Sequence, residues 1–225
     1  MTRRCLIFDI KHCRFSVAAL ILVSLSCLGN VKAQGSSAHQ HHSAASSGAE
    51  SSVSVISGLT IPDEILIDQS GKKVHFYSDL VKGKVVAINT VFTTCTTVCP
   101  IMGANFARLR NLLGDVAGRR VELISISIDP VADTPERLAE WSSRFSNHPG
   151  PGWTLLTGPK PDVDRLLKAL QMFTADKQDH APVALIGGEG ASNWSRASGL
   201  MPPPQLAELI KGRLNSMAAQ IQIRP

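Results

Sequence analysis

The sequence predicts a mixed α/β domain whose sheet has a parallel core, and three observations predict it. Residues 84–92 (KVVAINTVF) and 121–128 (VELISISI) are almost continuously apolar or β-branched, as expected of strands buried on both faces. Between and after them lie segments whose apolar residues recur at helical spacing, and strands alternating with helices build such a sheet. With 44% hydrophobic and 18% charged residues in a chain of 225, one real core can be buried, which excludes a wholly disordered protein.

The N-terminal region stands apart from that pattern. A basic start leads into an apolar run at 15–28 (FSVAALILVSLSCL), and Val31-Lys32-Ala33 offers small residues at a cleavage position. The run is short for crossing about 30 Å of hydrocarbon. Residues 1–33 are therefore expected to be a cleaved export signal, with a retained membrane anchor as the alternative. Either way the rest of the chain is expected in the periplasm, free or tethered to the inner membrane by this segment. Residues 34–56 are rich in Ser, Ala, Gly and His without an apolar period, the composition of a flexible linker. His39, His41 and His42 in it could collect a metal ion. The folded domain is expected over 57–225.

Within that domain each element has its own signal. Residues 65–67 and 73–76 flank Asp68-Gln69-Ser70-Gly71-Lys72, a hairpin-turn composition. After the strand at 84–92, residues 101–113 carry Phe106, Leu109 and Leu113 at helical spacing and stop at Gly114. Asp133-Thr134-Pro135-Glu136 opens a helix after the strand at 121–128, with Asp133 as the expected cap. A short strand at 153–156, a helix at 162–172, a strand at 183–186 ending at Gly187-Gly188, and a last helix after Pro204 complete the order.

Net charge excludes one class of partner. Of the formal +5, residues 1–33 supply +4 through Arg3, Arg4, Lys11, Arg14 and Lys32 against Asp9. The remaining +1 makes no basic patch, so no nucleic-acid partner is expected.

The cysteines carry the chemistry. Cys5, Cys13 and Cys27 would leave with the signal, and the mature chain would keep Cys95 and Cys99 alone. They lie in Phe92-Thr93-Thr94-Cys95-Thr96-Thr97-Val98-Cys99-Pro100, between a buried strand and a helix start, at the strand-end edge where open α/β sheets place their sites. Free N–H groups and the helix dipole there favour thiolate, hence metal binding or redox reactivity. Residues i and i+4 of a helical turn hold their Cβ atoms roughly 5–6 Å apart. A disulfide wants about 3.8 Å, whereas two thiolates on one metal sit roughly 4 Å apart with less distortion. The spacing tolerates both states and suits chelation slightly better. As a structural staple the pair would contribute only about 2 kcal/mol.

Two soft thiolates suit Cu(I), and an imidazole as third ligand would extend the site to Cu(II). His180, in Asp179-His180-Ala181-Pro182 before the strand at 183–186, is the candidate; the alternative is a solvent-exposed loop histidine. His75 and His148 read as structural, and Met102 and Met172 as core rather than auxiliary ligands. Asn193-Trp194-Ser195 matches a glycosylation sequon that an export signal of this type makes incidental.

Four blocks in this order resemble the Sco/SenC proteins: Cys95-x-x-x-Cys99-Pro100 behind a buried strand; Ser127-Ile128-Asp129-Pro130 with Asp133-Thr134-Pro135; GWTLLTG at 152–158; and the late His180. The resemblance runs over roughly residues 61–199. It implies a thioredoxin-like fold, with a mixed central sheet flanked by helices. It also implies a copper site of Cys95, Cys99 and His180 holding Cu(I) or Cu(II), and delivery of copper to the CuA centre of a cytochrome c oxidase subunit. A copper donor or a thiol reductant would be further partners. Membrane contact would run only through the N-terminal segment. The competing function is a thiol–disulfide oxidoreductase acting on the cysteines of a copper-protein partner, with Cys95 and Cys99 as the redox-active pair. A cis Pro182 facing the cysteines would add weight to it. A peroxidase reading, from Thr96-x-x-Cys99, meets Phe92 where that pattern needs proline.

Overall fold

The computed structural model describes residues 53–146 and 151–223. The expected signal, the histidines at 39, 41 and 42, and His148 lie outside the described residues. Eight strands form one sheet: β1 Ser54–Ser57, β2 Ile65–Asp68, β3 Lys73–His75, β4 Val85–Val91, β5 Val121–Ser127, β6 Trp153–Thr157, β7 Val183–Gly188 and β8 Asn193–Ser198. Their spatial order is β1-β8-β7-β4-β5-β6-β2-β3. The centre, β4-β5-β6, is parallel, and all other pairings are antiparallel.

Both central strands are buried at every position, which is why their sequences show no alternation. Alternate residues still choose opposite faces. Val85, Ala87 and Val91 of β4 pack with α1 (Val98–Leu113), α2 (Pro135–Ser143) and α4 (Pro203–Ile223) through Phe106, Trp141 and Ile210. Val86 and Ile88 face the other way, onto Leu166 and Leu170 of α3 (Lys160–Ala169) and its C-terminal turn and onto a π-helical turn, Phe76–Val81. The thioredoxin-like expectation thus appears as a three-layer sandwich around a mixed sheet.

Three features depart from the sequence reading. The sheet begins at Ser54, inside the stretch assigned to the linker, because an edge strand pairs through its backbone and needs no apolar composition. β8 was read only as an incidental sequon: just Trp194 and Ala197 are buried along it, so no two-residue alternation announces a strand. Trp194 lies flat on β7, where a Cβ on Gly187 would stand 2.1 Å from the indole ring; only glycine fits there. Finally, the cap of α2 is Thr134, whose hydroxyl accepts from the Arg137 N–H at 3.3 Å. Asp133 turns inward instead.

Candidate metal centre

The C-terminal edge of β4 and β5 places the sulfurs. β4 ends at Val91, whose carbonyl accepts from Ile128 N–H at 3.0 Å, and the chain turns over Phe92 O, which accepts from Cys95 N–H at 3.1 Å. The helix begins at Val98, so only Cys99 is helical. Cys95 precedes it and folds its sulfur back, accepting from Cys99 N–H at 3.4 Å. The N-cap residue Thr97 makes no side-chain cap of its own, and its hydroxyl lies 3.6 Å from the same sulfur. The Cys95 sulfur thus takes the place of a capping oxygen. This corrects the expectation of two cysteines on one helical turn.

Both thiols are free and buried, Cys95 with 8% exposure and Cys99 with none. Their acidities diverge for physical reasons. Burial alone would raise Cys95, but hydrogen bonds with Cys99 and Thr97 outweigh it and hold that thiol below its ordinary value. Cys99 is pushed up to about 12, first by burial, then by the Cys95 thiol, with the charges of Cys95 and Asp133 adding to it. One sulfur is therefore poised for ionisation and its neighbour is held as a thiol until something cationic arrives.

The imidazole comes from the far end of the chain. Asp176 accepts from Gln178 N–H at 2.9 Å and starts a 3-10 turn, Lys177–Asp179, which delivers His180 just before β7. His180 Nδ1 lies 2.9 Å from Lys177 O. A carbonyl only accepts, so Nδ1 carries a proton, and in the neutral ring Nε2 holds the lone pair. Nε2 is 3.7 Å from Cys99 Sγ. The ring stands edge-on to Phe92, with centroids 5.4 Å apart. Lys177 is itself anchored: its ammonium pairs with Asp129 at 2.5 Å, which raises the Lys177 pKa. The loop behind His180 is tied down as well, by Gly199 N–H donating to Pro182 O at 2.8 Å. The Ala181–Pro182 peptide is trans.

The donor set fits a thiophilic ion. With metal–thiolate and metal–imidazole bonds of about 2.3 and 2.0 Å, sulfur and nitrogen on one ion lie about 3.5–3.7 Å apart. The Cys99–His180 pair already has that separation. Among the described residues no group of three His, Cys, Asp or Glu side chains forms a ready-made cage. The Cys95 sulfur is engaged with the helix N-terminus beside this pair. His75 is exposed on the edge strand β3, 3.5 Å from Asp63; Met102 and Met172 are buried in the core, Met172 beside the cavity that His180 also lines.

The SCO1/SenC family model matches residues 64–193. The chain belongs to the SCO1/SenC family. Over 95 residues it is 36% identical to the SCO1 protein homolog of Bacillus subtilis, covering 40% of this chain and 45% of that one. Among the first curated relatives, the matched stretch spans between 45% and 66% of the relative's length. A SCO1/SenC family lipoprotein from Bacillus anthracis superposes with a TM-score of 0.58 at 27% identity, covering 69% of this chain and 95% of that one. Bradyrhizobium japonicum ScoI, solved with copper bound, gives 0.54 at 25% identity, covering 68% and 99%. Among the described residues no helix is long and apolar enough to cross a membrane.

Sequence reasoning missed the scaffolding of the site. The inward role of Asp133, the Lys177–Asp129 pair and the Lys177 carbonyl behind His180 all join residues at least 40 apart in sequence or rest on a backbone atom. Only the resemblance, through its Ser-Ile-Asp-Pro and Asp-Thr-Pro blocks, pointed near them.

Proposed function

We propose that this protein binds copper through Cys95, Cys99 and His180 and hands it to the CuA centre of a cytochrome c oxidase subunit outside the cytoplasm. The observation that carries the reading is the 3.7 Å approach of the lone-pair nitrogen of His180 to Cys99 Sγ, next to a second thiol. Two thiolates and an imidazole accept both Cu(I) and Cu(II), as a protein that passes copper between partners requires. The copper-bound ScoI relative supports the cargo. The export signal and the Sco/SenC resemblance support the compartment and the client. Titration of the purified protein with each copper ion tests the reading: one equivalent binds tightly, and Cys95→Ser combined with His180→Ala abolishes that binding. Undiminished stoichiometric binding by the double variant contradicts it.

A second reading has its own support. The low-pKa Cys95 beside the high-pKa Cys99 resembles the division of labour in a thiol–disulfide oxidoreductase, with Cys95 attacking and Cys99 resolving. In that case exchange with a partner disulfide proceeds without metal and survives His180→Ala. Absence of exchange by the copper-free wild type counts against it.

A further inference from the structure

Asp133 has no solvent exposure. Its hydrogen-bond partners are neutral, while its charge reaches the Lys177 ammonium without a direct ion pair. Thr93 N–H donates to Oδ1 at 3.1 Å and to Oδ2 at 3.3 Å, Thr93 Oγ1–H to Oδ1 at 2.6 Å, and Ser127 Oγ–H to Oδ2 at 2.6 Å. Among the described residues it forms no ion pair. The bonds tie the end of β5 to the first residue after Phe92, two positions before Cys95. Phe92, in turn, carries the backbone that touches the Cys99 thiol and the ring that backs His180.

An asparagine would serve nearly the same geometry. Its oxygen would accept both Thr93 donors, and its amide would donate to Ser127 Oγ, which already accepts Asp129 N–H at 3.0 Å. A buried carboxylate costs far more desolvation than a buried amide. Holding Thr93 therefore accounts for a polar side chain at 133 but not for a charged one. That charge acts on the Lys177 ammonium, which anchors the turn carrying His180, and it would act as strongly on a cation arriving at the neighbouring sulfurs, because low dielectric makes a fixed negative group act strongly on an ion inside the same wall.

We infer that Asp133 is a positioning residue of the metal centre: it clamps the Thr93–Cys95 turn, and its fixed charge favours a doubly over a singly charged ion at Cys95, Cys99 and His180. This inference rests on the copper reading for its cargo. The structural half, the clamp, stands on hydrogen bonds alone.

The test compares full-length wild type with Asp133→Asn and Asp133→Ala. Cu(II) and Cu(I) affinities are measured by competition with chelators, and protection of the Thr93 amide by hydrogen exchange. Asp133→Asn is expected to weaken Cu(II) by about tenfold or more, the lower end of outer-shell effects, with Cu(I) changed by less than about threefold. The Thr93 amide stays protected in Asp133→Asn and loses protection in Asp133→Ala. Equal losses for both ions, or no loss for Cu(II), overturn the charge role. An unprotected Thr93 amide in the wild type overturns the clamp. A wild type that binds neither ion overturns the copper reading and the charge role together, and protection of Thr93 in that protein shows the clamp surviving without them.

Discussion

The two halves of the centre are held in different ways. The sulfurs lie between the end of β4 and the start of α1, where strand pairing, the Phe92 turn and the helix N–H groups leave little freedom. The imidazole hangs from a three-residue turn whose position depends on one side-chain ion pair, one backbone carbonyl and an aromatic edge. The first arrangement is part of the fold's rigid framework. The second rests on contacts outside the sheet and is expected to be the more easily released.

That contrast can be broken from either side. Cys99→Ser removes a donor from the rigid half and is expected to cause the largest loss, abolishing tight binding of both copper ions in a chelator competition. His180→Ala removes the releasable donor; Cu(I) is still held by the two sulfurs, while Cu(II) affinity falls beyond the outer-shell range of about 10–100-fold. Lys177→Met leaves every donor in place but frees the turn from Asp129. Cu(II) binding should weaken within that range and copper should transfer faster to a competing thiol. An unchanged transfer rate would show that the turn is held by its backbone alone.

Smaller effects belong to controls outside both regions. Thr134→Ala deletes the cap of α2 and should cost about 1 kcal/mol in denaturant unfolding, with the copper affinities unmoved. Glu122 sits at the other end of β5, and its pKa is raised mainly by burial, against the opposing effects of the Thr154 hydroxyl and Lys84. Because the folded state binds this proton more tightly than the unfolded chain does, stability is fully present below the ordinary carboxylate range. It declines as pH rises through the raised folded value. Glu122→Gln should flatten that decline, as read from unfolding midpoints across the acid range.

The same contrast explains what the sequence made legible. The sulfur half is written locally: a buried strand, six residues and a helix start bring Cys95 and Cys99 together with no reference to the rest of the chain. Only their detailed placement was missed, because the fold-back of the Cys95 sulfur onto Cys99 N–H depends on where α1 begins. The imidazole half is written across more than 80 residues. Its place just before a strand makes His180 a candidate that could face the cysteines, but nothing within Asp179-His180-Ala181-Pro182 says that Nε2 will meet Cys99, and the family resemblance adds the rest. Asp133 was read as a cap because Asp-Thr-Pro-Glu offers two capping residues in a row. Local propensity cannot choose between them when Ser127 and Thr93 claim the first. The edge strand β1 and its neighbour β8 escaped for the opposite reason, being too polar to stand out from loops.

X-ray absorption of the copper-loaded protein tests the convergence of the two halves most directly. The account predicts two sulfur neighbours at about 2.3 Å and one nitrogen at about 2.0 Å, with the nitrogen lost in His180→Ala. A copper shell without sulfur, or one whose nitrogen survives that substitution, would contradict it.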